Sequence, residues 1–289
     1  MWWKISLGIV IALFAVHQMF QDLFHPTQTG ALSEWAGRKI YRLFRRFPHL
    51  LETAGPLTVF LVIFLWATLL VTGFAFIYWS VFPADFELRG PRQPSTNDAF
   101  WWCFYYSLQM LTTLGIGDIT PLPDWLRILS AFNTLIGFSL VTASLTWIVL
   151  LFPALTRLRA LARRSITLAD AQSDTGVPVF SPGMHTVLME LAEAVLYARV
   201  DLVHFPVLFY FYSGDPRASL SQALLTLLEF ADRGQQSSYP ELIRLAAASL
   251  RTALQQIAEV ISDKLDYRDH SCQEVFAHYA AVHEPRPRR

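Results

Sequence analysis

Charge is scarce in this chain, and cysteine is nearly absent. Only 16% of residues are Asp, Glu, Lys or Arg, and 23 basic side chains balance 23 acidic ones. That balance does not fit a nucleic-acid binder, which concentrates positive charge to meet phosphate. The two cysteines, Cys103 and Cys272, offer no disulfide framework. No internal repeat is evident, and the short run EPRPRR at 284–289 is the nearest approach to low complexity. No P-loop and no EF-hand loop occur, and no nucleophile–base pair stands out, so nothing points to an enzyme. His270, Cys272, His278 and His283 match no standard zinc spacing and read as surface residues.

What is present is apolar surface: 53% of residues are hydrophobic and 14% aromatic, with 16 prolines gathered at segment boundaries. Residues 57–82 carry no charge at all and form a transmembrane helix. Residues 124–151 predict a second one. Residues 2–24 open with tryptophans suited to the headgroup level, followed by an apolar run from 5 to 20 broken by Ser6, Gly8, His17 and Gln18. That run approaches the roughly 20 residues a spanning helix needs. It is open between a spanning helix, an interfacial helix and a secretory signal, although no small-residue cleavage site follows. Residues 27–54 interleave Arg38, Lys39, Arg42, Arg45 and Arg46 with Leu32, Trp35, Ile40, Leu43, Phe44 and Phe47. This is the pattern of a basic amphipathic helix on an anionic leaflet. A solvated helix covering a soluble domain is the alternative.

Between the two apolar helices lies a polar loop over 83–95, holding Asp85, Glu87, Arg89 and Arg92. An aromatic helix over 98–111 follows, capped by Thr96 or Asn97 with Asp98 in its first turn. It is too short to cross a membrane. Next comes Thr112-Thr113-Leu114-Gly115-Ile116-Gly117-Asp118. Extended backbone at membrane depth survives only where protein buries it or where it lines a water-filled path. A strand whose carbonyls all face one way turns that constraint into a cation site, and glycine permits the unusual φ values it needs.

Residues 100–121, FWWCFYYSLQMLTTLGIGDITP, resemble the pore helix and selectivity filter of the potassium channel family, whose usual filter reads T-V-G-Y-G-D. The resemblance extends over roughly 55–155. It implies that Thr113 closes the innermost site with its hydroxyl, that Leu114, Gly115, Ile116 and Gly117 supply the remaining carbonyl rings, and that Asp118 stands at the outer mouth. Ile116 replaces the family's tyrosine, so the hydroxyl tying the filter to neighbouring pore helices is missing. Tyr105 and Tyr106 fall at aromatic-cuff positions and are expected to pack against Ile116. Gln109 stands where some members carry a glutamate, so a neutral contact with Asp118 is expected. Gly137 lies where the family places its gating glycine; close packing against a neighbouring helix is the alternative. Phe138, Thr142 and Thr146 are expected to line the cavity below the filter, with interhelical hydrogen bonding the alternative for the threonines. Pro153 ends or kinks the inner helix.

Basic residues set the expected orientation. Arg157, Arg159, Arg163 and Arg164 follow the inner helix, and the 38–46 cluster precedes the outer one, which puts both on the cytoplasmic side of the cell membrane. No arginine-studded voltage sensor precedes the pore, and no G-x-G-x-x-G marks a nucleotide-binding domain. Residues 167–182 read as a linker and 182–200 as a helix; 202–212, LVHFPVLFYFY, reads as a buried connector, and 220–233 and 240–265 as two further helices. Ile243, Ala247, Leu250, Leu254, Ile257 and Ile261 repeat in a 4-3 rhythm, open between packing within one subunit and a coiled coil between subunits.

The expected architecture is an all-α membrane protein. It comprises an N-terminal helix (1–24), a basic interfacial segment (27–54), a potassium-channel-like pore module (55–155) and a cytoplasmic helical domain (165–289). The expected function is a homotetrameric cation channel selective for K⁺, with no cofactor beyond the permeant ion. The partners expected are three further copies and anionic lipid, not nucleic acid, with any cytoplasmic ligand open. A weakly selective Na⁺/K⁺ channel and a non-conducting membrane scaffold or sensor are the alternatives.

Overall fold

The computed structural model describes residues 2–24, 30–44, 51–89, 95 and 97–283. Three helices among them are long and apolar enough to cross a membrane: α1 (Trp2–Phe24), α3 (Leu51–Trp79) and α5 (Asp124–Thr175). Before α5 stand α2 (Ala31–Phe44), β1 (Phe86–Leu88), α4 (Ala99–Leu111) and β2 (Ile119–Pro121). After it come α6 (His185–His204), α7 (Leu220–Gly234), α8 (Glu241–Leu265) and α9 (Cys272–His283). Helices satisfy their own N–H and C=O groups, which a hydrocarbon environment demands. The described residues divide into two units, one from 1–36 and 59–149, the other from 37–58 and 150–289.

In the first unit α1 lies against α3 through glycine. A Cβ on Gly8 would sit 2.5 Å from the Gly73 carbonyl oxygen, and one on Gly73 would sit 2.9 Å from the Ala12 nitrogen. Backbone contact through small residues is how helices associate in lipid, where burial of apolar side chains drives nothing. Lys4 Nζ rests 3.5 Å from the centre of the Trp79 ring, a cation–π contact. Below that crossing, Phe74, Tyr78, Phe86, Cys103, Tyr106, Ile119 and Leu126 form a buried core. Tyr106 meets Tyr78 and Phe86 edge to face, with ring centres 5.0 and 5.3 Å apart. The loops flanking α4 pair as a two-stranded antiparallel sheet, Phe86 opposite Pro121 and Leu88 opposite Ile119, which seats Phe86 and Ile119 in the core.

The inner helix was expected to stop near 151, but α5 runs through Pro153 to Thr175. The proline removes one helical hydrogen bond, to the carbonyl of Val149. Both residues lie on the exposed face, where helix carbonyls already tilt outward. Buried Trp147 and Leu151 hold the helix before it, and Ala154, Leu158, Leu161 and Ala162 hold it after. The expected linker over 167–182 therefore shrinks. Its first residues are the last turns of α5, closed at Gly176, whose φ is +66°.

In the second unit α8 packs on α6, α7 and α9. Each residue of the 4-3 stripe on α8 is at most 1% exposed, so the stripe is filled within the chain and an intersubunit coiled coil through it is ruled out. Residues 37–44 and 51–58 belong to this unit. A Cβ on Gly37 would strike the Tyr210 ring at 2.0 Å, one on Gly55 would meet Phe211 at 2.5 Å, and the Tyr41 hydroxyl donates to the Val282 carbonyl at 2.9 Å. Burial of Ile40 and Tyr41 takes away part of the apolar face expected on lipid, while Trp35, Leu43, Arg38, Lys39 and Arg42 remain exposed. Arg45 and Arg46 lie outside the described residues.

Arg157 on α5 grips Asp201 on α6 with two parallel bonds, Nε to Oδ2 at 2.8 Å and a terminal nitrogen to Oδ1 at 2.6 Å. The carboxylate is buried, whereas the guanidinium is about half exposed, 49%. Removing the arginine strands a buried charge; removing the aspartate leaves a cation that water can reach. Arg157→Leu should therefore destabilise by about 3 kcal/mol and Asp201→Asn by about 1 kcal/mol. Thermal unfolding of the purified variants in detergent measures the difference.

Candidate functional site

The site is assembled from the end of α4, the 112–118 loop and the first half of α5. Asp98 occupies the N-cap of α4 without a side-chain capping bond; its Oδ2 accepts from Ser95 Oγ at 2.9 Å. The expected caps were Asn97 and Thr96, of which Thr96 lies outside the described residues. At the other end the chain leaves the helix stepwise. Thr112 N still bonds the Leu108 carbonyl at 3.0 Å, Thr113 N bonds Met110 at 3.1 Å, and Leu114 N reaches back to Gln109 at 2.9 Å.

Three alternate residues then adopt positive φ: Thr113 at +60°, Gly115 at +51° and Gly117 at +79°, while Leu114 and Ile116 do not. Alternating φ sign turns successive peptide planes the same way, the backbone condition for a row of carbonyls on one side. For glycine this conformation is cheap. For a β-branched threonine it is strained, at about 1–3 kcal/mol, and such strain persists only where its surroundings hold it.

Gln109 does the holding. Its side chain is 2% exposed; Oε1 accepts from Ile116 N at 3.1 Å and Nε2 donates to Asp118 Oδ1 at 2.9 Å. Tyr105 donates its hydroxyl to the other carboxylate oxygen at 3.0 Å, and the Asp118 carbonyl accepts from Arg89 N at 2.8 Å. The expected Gln109–Asp118 contact is thus present, and Gln109 braces Ile116 as well. Tyr106, expected beside Ile116 as part of an aromatic cuff, lies instead in the core with its hydroxyl 2.8 Å from Ser130 Oγ. Its neighbours Tyr78 and Phe86 give it an apolar seat that a filter residue would not.

An amide suits this clamp because it donates and accepts at once without a proton to lose. Gln109→Leu leaves the Ile116 N–H and one Asp118 oxygen unpaired, an expected loss of about 2–4 kcal/mol. Gln109→Glu should be tolerated in acid, where a protonated carboxyl can both donate and accept. Facing Asp118, its pKa is raised, so the stabilisation present at low pH is lost as pH rises through that value. Unfolding midpoints measured across pH test both variants.

Gly137 sits where α5 touches the end of α4: a Cβ there would lie 1.9 Å from the Leu111 carbonyl oxygen. Close packing is the role this contact gives it. Phe138, Thr142 and Thr146 share one exposed stripe of α5. The threonine hydroxyls bond their own helix, Thr142 to the Phe138 carbonyl and Thr146 to the Thr142 carbonyl, each at 3.0 Å. Each hydroxyl thus donates its proton within α5. Sequence reasoning missed Asn133, which is fully buried and directs Nδ2 at Ser107 Oγ (3.3 Å) and the Tyr78 hydroxyl (3.4 Å). The signal was there: an amide on an apolar helix must find partners inside the protein.

Residues 58–152 match the family model described as "Ion channel", from α3 through the loop and into α5. The chain is also 26% identical over 205 residues to a protein described as "Uncharacterized membrane protein YdjJ" of Bacillus subtilis (strain 168). That alignment takes in 70% of this chain and spans 59% of the relative's length. No solved structure matches. Taken with the spans and the loop between them, these matches support an all-α membrane protein whose residues 58–152 are similar to an ion channel domain.

Proposed function

We propose that the protein is a homotetrameric K⁺ channel of the cell membrane, conducting passively through the backbone carbonyls of Thr113, Leu114, Gly115, Ile116 and Gly117. The observation that carries this is the alternation of positive φ along an exposed loop clamped from behind by Gln109 and Asp118. A dehydrated cation needs oxygen ligands on all sides, and one loop supplies them on one side only. Four copies around an axis close the ring. Exposure of Leu114 at 64% and Ile116 at 56% in the single chain supports neighbours at this loop. In the same reading the 165–289 region is cytoplasmic. Arg38, Lys39 and Arg42, flanked by exposed Trp35 and Leu43, meet an anionic leaflet, and Phe138, Thr142 and Thr146 face the aqueous cavity.

A weakly selective pore is the second reading, favoured by Ile116, which has no hydroxyl to stiffen the ring. The clamp through Gln109, Asp118 and Tyr105 argues for rigidity within each subunit and so for K⁺. Reversal potentials of the reconstituted protein in mixed Na⁺/K⁺ solutions decide. The expected value lies near the K⁺ equilibrium potential; a value near zero under opposed, equal gradients establishes the second reading, and absence of current removes both.

A further inference from the structure

Arginines crowd the second half of α5 and the segments near it, and most of those described are neutralised. Arg157 pairs with Asp201, Arg163 with Asp215 at 3.2 Å, Arg164 with Glu190, and Arg217 with Asp170 at 3.7 Å. Arg159 is different: among the described residues it has no acidic partner. It lines a cavity of the second unit together with Leu155 and Leu158 of its own helix and the hydroxyls of Ser213, Ser219 and Ser221. Among the described residues no Asp or Glu lines that cavity. Ser221 is 2% exposed and shares one hydrogen bond of 2.9 Å with Ser219. Ser219, its partner in that bond, is half-buried. Ser219 and Ser221 stand at the amino end of α7, whose first turn holds no acidic side chain and whose N-cap, Ser219, makes no capping bond to the helix backbone; the helix dipole there adds to the positive potential.

We infer that this cavity binds a phosphate group carried on an organic body. A guanidinium beside several hydroxyls suits a tetrahedral oxyanion, which accepts more bonds than a carboxylate can. Leu155 and Leu158 provide an apolar wall for the carbon side of the ester. The phosphate can come from a lipid headgroup or from a soluble phosphate ester, and the chemistry of recognition is the same.

The test uses the full chain in neutral detergent micelles and does not depend on conduction. Calorimetric titration with inorganic phosphate, and thermal unfolding in micelles doped with phosphatidic acid or with phosphatidylcholine, are compared across variants. Binding by the unaltered protein should weaken roughly tenfold or more in Arg159→Gln and also weaken in Ser221→Ala. It should be unchanged in Arg244→Gln, which removes an equal charge from an exposed residue that does not line the cavity. A response to inorganic phosphate supports a soluble source, and one to phosphatidic acid alone supports a lipid. No response to either, or equal responses in Arg159→Gln and the unaltered protein, overturns the inference. Failure here leaves K⁺ flux untouched, so it is distinguishable from failure of the channel reading.

Discussion

Liposomes containing the Gly115→Ala protein should take up K⁺ no faster than protein-free vesicles. The reason lies in the backbone. A methyl group at position 115 meets nothing within 4 Å in the single chain, so space does not oppose it. The φ of +51° does, at about 1–2 kcal/mol for an L-residue, and in the proposed tetramer four subunits carry that penalty together. The cheapest escape is for the peptide to rotate out of the left-handed region, which turns a carbonyl away from its neighbours in the row. Gly176→Ala is the control. It has φ of +66° and equally open surroundings, but it closes the far end of α5, away from the loop. It should lose comparable stability and conduct normally. Unchanged flux in Gly115→Ala would remove the loop from the conduction pathway.

The second large effect concerns Gly137, where the cause is reversed. This glycine is helical, and the obstacle is contact: the added Cβ would lie 1.9 Å from the Leu111 oxygen and 2.7 Å from its carbonyl carbon. Backbone cannot step aside as a side-chain tip can. Gly137→Ala must separate α5 from the end of α4, at a cost of about 3 kcal/mol, the upper end for overpacking. Because α4 ends where the 112–118 loop begins, the displacement also reaches the Gln109 clamp. A markedly lowered unfolding midpoint is expected, with conduction lost as a consequence. A hinge role alone predicts a protein of normal stability whose opening is altered. Measuring the midpoint and the flux on one preparation separates the two.

Legibility followed range along the chain. The loop was readable because its chemistry is local: two glycines at alternate positions, a threonine before and a carboxylate after, between apolar helices. The helices α3, α7 and α8 were readable from apolar runs and periodicity. Contacts joining distant segments were not. Tyr106 and Asn133 find their partners on α3, α4 and α5 together, and no pattern within one helix names those partners. Strands of three residues, such as 86–88 and 119–121, are too short to show alternation. Pro153 was read as ending or kinking the helix because local propensity disfavours proline there, yet packing on either side carries α5 past it. One miss was avoidable. Ser271 and Glu274 form a reciprocal capping box at the start of α9, with Ser271 N donating to the glutamate at 2.8 Å. The backbone and hydroxyl donors of Ser271 hold the Glu274 carboxyl below its usual range. The S-x-x-E spacing that announces such a start was present in the sequence.

The stripe on α8 from Ile243 to Ile261 is enclosed by its own chain. A surface so occupied has no adhesive left to offer a second molecule. In the proposed tetramer, contact between copies must run through other faces, and a fragment stripped of α6 would uncover a strip able to glue itself to the wrong neighbour.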